Sequence, residues 1–63
     1  MRDPKRLDSF YDKMKELHKA VPDWRFGQLI YNFIRDIGDP FYIEDDKMIS
    51  LLEEWLTNQH YIK

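Results

Sequence analysis

Three stretches of this chain repeat apolar residues at the three- and four-residue spacing of a helix. In the first, Leu7, Phe10, Tyr11, Met14, Leu17 and Val21 fall within about 120° when each residue turns by about 100°. Asp8, Asp12, Lys15, Glu16 and Lys19 face away. The pattern predicts an amphipathic helix from Pro4 to about Ala20 with one buried stripe. Asp3-Pro4 marks its start, pairing an acceptor for the free first-turn amides with a residue that has no amide to lose.

Val21-Pro22-Asp23 interrupts this pattern, because proline disfavours helical geometry in the residue before it. Asp23 is then expected to cap a second helix running from Trp24 to about Ile37 and closing at Gly38 in a left-handed conformation. Here Trp24, Phe26, Leu29, Ile30, Tyr31, Phe33, Ile34 and Ile37 spread over about 220°, leaving a polar stripe of about 100°. A rod apolar over most of its girth must be touched from two sides, so this helix is expected at the centre. Gly27 lies within the apolar arc and is expected to admit a neighbouring backbone.

Asp39-Pro40-Phe41-Tyr42 repeats the Asp-Pro opening and predicts a turn or single helical turn over 39–43, and Glu44-Asp45-Asp46 supplies acids suited to a helix amino terminus. The third helix is expected from Glu44 or Asp45 to Thr57, burying Met48, Ile49, Leu51, Leu52, Trp55 and Leu56. After it, Tyr61 and Ile62 either fray or fold back onto the core. The fold class is therefore all-α, a small three-helix domain over residues 1–63 with a central, widely apolar second helix.

Composition narrows the functions available. At 63 residues the chain makes one domain, and its 43% hydrophobic and 35% charged residues suit a soluble folded protein. A domain this short hides only about 60% of its unfolded surface, so ten aromatic rings are the expected compensation. The lack of cysteine removes disulfides, thiolate nucleophiles and cysteine-based zinc sites. No stretch approaches the roughly 20 apolar residues of a membrane span, and the charged amino terminus lacks a signal peptide's apolar core. A cytoplasmic protein without a membrane partner is expected.

Candidate chemistry is sparse. His18, at the apolar edge of the first helix, and His60, in the tail, do not form a four-residue metal pair. Glu44-Asp45-Asp46 lacks the alternating oxygen ligands and central glycine of a calcium loop. No metal or other cofactor is expected. Three short helices also offer little concavity for paired acid and base groups, so the chain is not expected to be an enzyme.

Charge is unevenly placed. Residues 1–35 carry eight bases against five acids, and residues 36–63 carry seven acids against two bases. The halves either steer the molecule toward a charged partner or neutralise each other in the fold, and mixed surfaces favour the second. Nucleic-acid binding ranks behind protein binding, because the third helix holds Asp45, Asp46, Glu53 and Glu54 against Lys47. Were nucleic acid bound, Arg2, Lys5 and Arg6 or the Arg25/Arg35 stripe would have to hold it.

A protein-contact surface is the leading reading. Arg25, Gln28, Asn32 and Arg35 share the polar stripe of the second helix and mix donors with acceptors. For this stripe alone the preferred reading is the wet side of a central helix, with Arg35 pairing to Asp36 or Asp39. Phe41 and Tyr42 are adjacent rings in a turn, of which one is expected to anchor the core and the other to remain available. Together with Trp24 these residues form the candidate interface. The partner is an unidentified protein; a homodimer is the other way to complete the apolar arc.

Met1-Arg2-Asp3-Pro4-Lys5-Arg6, Pro22-Asp23-Trp24-Arg25-Phe26-Gly27-Gln28-Leu29-Ile30 and Asp39-Pro40-Phe41-Tyr42-Ile43-Glu44-Asp45-Asp46 span most of the chain. In these motifs it resembles a family of short bacterial and phage proteins of uncharacterised activity. The resemblance implies a bacterial or phage origin and no mechanism.

Overall fold

A computed structural model describes residues 3–62 as three helices, α1 (Arg6–His18), α2 (Phe26–Ile37) and α3 (Asp45–Asn58). The all-α class follows. Each helix brings buried side chains to one core at the predicted spacing: Met14 and Leu17 from α1, Leu29 and Phe33 from α2, Leu52 and Leu56 from α3. Val21 adds to this core from the first connection.

The start of α1 keeps the Asp3-Pro4 logic with one adjustment. Asp3 Oδ1 accepts the Lys5 amide at 2.9 Å, and the amides of Arg6 and Leu7 reach back three residues, to the carbonyls of Asp3 and Pro4. A tight three-residue turn thus precedes the regular helix, which begins two residues later than Pro4. The helix ends as Ala20 and Val21 donate to the carbonyls of Leu17 and His18.

The second helix starts later and is capped differently than the sequence suggested. Asp23 does not cap it; Arg25 occupies the cap position, and its amide donates to Gln28 Oε1 at 2.7 Å. A glutamine three residues inside the helix reaches back to the chain entering it, which is half of a capping box. Its end does fall at Gly38, whose amide donates to the Ile34 carbonyl at 2.8 Å. Gly38 has φ 93° and ψ −160°, a region that glycine occupies almost alone, rather than the left-handed helical one.

The expectation of a central, widely apolar second helix is not confirmed. The most extensive backbone contact joins α1 to α3. Although Leu29 and Phe33 of α2 are fully buried, Phe26 and Tyr31 are 55% and 65% exposed. Two neighbours on one side cannot cover an arc of about 220°, so the residues at its edges stay wet. Tyr11, expected within the α1 stripe, is also exposed and packs edge-on against Phe10. Gly27 faces solvent, and a methyl group there would meet nothing within 4 Å.

The chain after α3 folds back. His60 adopts φ 67°, while its amide donates to Thr57 and that of Tyr61 donates to Leu56 at 2.9 Å. This pair of bonds is a Schellman closure with histidine in the usual glycine position. It delivers Tyr61 edge-on to Trp24, with ring centroids 5.1 Å apart, and Ile62 to the core.

The three special backbone positions should respond differently to substitution. Gly27→Ala should raise unfolding free energy by about 0.5–1 kcal/mol, since it improves helix propensity without a clash. Gly38→Ala should lower it by about 1–3 kcal/mol through backbone strain. His60→Gly should raise it, by at most about 1 kcal/mol, by relieving the left-handed residue. Urea unfolding followed by circular dichroism measures all three; the same sign at Gly27 and Gly38 would contradict the distinction drawn between them.

Candidate functional site

The sequence-predicted contact residues separate into structural and exposed groups. Trp24 belongs to the first. It is half-buried in the connection before α2, and its ring lies 6.4 Å from that of Trp55 as well as against Tyr61. Its carbonyl accepts a 2.8 Å hydrogen bond from His18 Nε2, which closes the connection onto the end of α1. His18 thus has a structural role that its position at the edge of an apolar stripe did not reveal. Trp55 continues the aromatic cluster to Phe33 at 5.8 Å, and its indole Nε1 donates to Asp36 Oδ2 at 2.6 Å.

Part of the polar stripe is also engaged within the molecule. Gln28 holds the start of α2, as described above. Arg35 sits with its guanidinium 6.0 Å from the centre of the Tyr31 ring, and its Nε lies 3.9 Å from Asp36. Trp24, Gln28, Tyr31 and Asn32 line a shallow hollow of about 300 Å³ on this side of α2. The hollow brings together three of the predicted residues and adds Tyr31, which sequence reasoning had assigned to the buried arc. The four-residue step from Tyr31 to Arg35 places the ring and the cation on one face of the helix. Arg25 is exposed at the entry to α2.

Phe41 and Tyr42 form a distinct surface. Phe41 is 78% exposed and Tyr42 89%, so the expectation that one ring anchors the core is overturned. The rings pack edge to face on each other, with centroids 4.8 Å apart. Two local bonds hold the backbone beneath them: the Phe41 amide donates to Asp39 Oδ1 at 3.0 Å, and the Ile43 amide donates to the Pro40 carbonyl at 3.0 Å. An Asx turn thus runs into a β-turn that carries both side chains on its outer side.

The described residues among those considered for nucleic acid are Lys5 and Arg6, with Arg25 and Arg35 on α2. Arg6 donates to Asp45 at the start of α3, so the basic and acidic halves meet where these helices begin. Lys5 is exposed, and Arg2 lies outside the described residues. Among the described residues, histidine and carboxylate side chains form no cluster of three able to hold a metal ion, and no helix is long and apolar enough to cross a membrane.

Comparison with protein-family models, curated proteins and solved structures gives no match to this chain. Its chemistry must therefore be argued from these surfaces. They separate by their expected effect on folding. Phe41→Ala and Tyr42→Ala should each change unfolding free energy by no more than about 0.5 kcal/mol. Trp24→Ala should cost about 2–3 kcal/mol by removing a half-buried ring from the cluster. Thermal and urea unfolding of the three variants checks this; a large loss at Tyr42 would mean that its ring supports the fold.

Proposed function

We propose that this chain is a small non-enzymatic protein-binding module whose contact is anchored by Phe41 and Tyr42. The observation that carries this reading is the pair of rings standing in water on a hydrogen-bonded turn. Two such side chains expose on the order of 300 Å² that would be favourable to bury. Their turn is preorganised, so a partner would lose little ordering entropy in gathering them. Aromatic side chains are enriched at interface centres, and arginine commonly accompanies them.

The stripe of Arg25, Gln28, Asn32 and Arg35 supplies a second, more polar area, with Tyr31 in place of Trp24 as its exposed ring. In this reading the protein works in the cytoplasm of a bacterium and is encoded by the bacterium or by a phage or mobile element it carries, the origin that the sequence resemblance implies. The partner is a different protein; a second copy of the chain is the competing occupant. Nucleic-acid binding through Lys5, Arg6 and Arg2 is the alternative, weakened by the engagement of Arg6 with Asp45.

Immobilised protein should retain one defined partner from source-cell extract, with recovery falling about 30-fold or more for the Phe41→Ala/Tyr42→Ala double variant. Arg25→Ala should reduce recovery less. Retention should survive 200 mM salt, whereas phosphate-dominated binding falls by about 10³–10⁵ between 50 and 200 mM. Unchanged recovery with the double variant would remove the proposed anchor, and a steep salt loss accompanied by co-purifying nucleic acid would favour the alternative.

A further inference from the structure

A groove of about 690 Å³ runs between α1 and α3, with Phe10 and Ile49 in its floor. A shallower hollow of about 350 Å³ shares Lys13, Ile49 and Glu53 with it and continues along α1 to Leu17. No residue of α2 lines either one. The groove therefore lies on the side of the α1/α3 pair that α2 leaves open, where a four-helix bundle would seat another helix. From Arg6 to Leu17 it extends about 16 Å along the α1 axis at about 1.5 Å per residue, which is about three helical turns.

Its rim selects the kind of helix that fits. Arg6 is taken up by Asp45, and Glu16 is paired with Lys19 at 3.1 Å. On the remaining rim α1 supplies Asp12 and Lys13, and Asp46 and Glu53 of α3 line it together with Glu44. The floor asks for an apolar stripe, and the acidic excess asks for basic residues beside it. We propose that the groove between α1 and α3 binds a basic amphipathic helix of a partner protein. This site uses different residues from the Phe41–Tyr42 surface and stands without it.

The probe is a fluorescein-labelled peptide of about 14 residues, with leucines at helical three- and four-residue spacing and lysines and arginines elsewhere. Fluorescence anisotropy should show saturable binding to the full chain, with the peptide gaining helical circular dichroism. A scrambled peptide of the same composition, and one with glutamate replacing each base, should bind at least about tenfold more weakly. Asp46→Lys/Glu53→Lys, both at exposed positions, should weaken the first peptide about tenfold while preserving the protein's own helical spectrum. Lys13→Glu should tighten binding.

Equal binding of the scrambled peptide, or indifference to the double charge reversal, would overturn the proposal. So would sedimentation of the chain as a dimer that the same reversal dissociates, since the groove would then belong to a second copy. Loss of partner capture on changing Phe41 and Tyr42 leaves these outcomes unaffected, so failure of one surface is distinguishable from failure of the other.

Discussion

The aromatic ring of Trp55 joins parts of the chain that otherwise approach each other loosely. It meets Phe33 of α2, Trp24 of the first connection and Tyr61 of the returning carboxyl-terminal segment. Its indole nitrogen also bonds to Asp36. Backbone contact is most extensive between α1 and α3, and α2 is held largely through side chains. Leu29 and Phe33 provide the buried part of that attachment, and the Trp55–Asp36 bond adds a directional contact at its edge. Aromatic groups suit this task because each combines a large apolar area with favourable edge-to-face geometry.

This arrangement determines which surfaces remain for recognition. Trp24 and Gln28 are occupied with the fold, one through its ring and carbonyl, the other through the amide it accepts at the start of α2. Phe41 and Tyr42 touch each other on a turn, and no comparable burial accounts for their chemistry. The groove between α1 and α3 differs again, with an apolar floor bordered by mixed charge. A small domain with three helices leaves such faces because each helix can be covered on only part of its circumference.

The division of charge along the chain has a related consequence. Arg6 near the amino terminus and Asp45 at the start of α3 are far apart in sequence and meet in the fold. This contact favours neutralisation of the two halves at that point over a freely displayed electric dipole. The pair is partly exposed, so its energetic value is modest under salt screening. Its larger effect is to remove Arg6 from the set of cations most readily offered to a phosphate backbone.

Much of the local architecture was legible in the residues themselves. Spacing placed Met14, Leu17, Leu29, Phe33, Leu52 and Leu56 on buried stripes, Asp3-Pro4 marked the turn that leads into the first helix, and Gly38 ended the second. Those features depend on helical periodicity and on backbone groups within one turn, which neighbouring residues largely control. Tertiary structure alone decided that Tyr31 and Phe26 stay exposed, that Gly27 meets no neighbour, that both Phe41 and Tyr42 point outward, and that α1 and α3 enclose a groove. Periodicity defines which residues share a face; whether that face is covered depends on the distance and direction of another helix, set by side-chain sizes distributed over the whole chain.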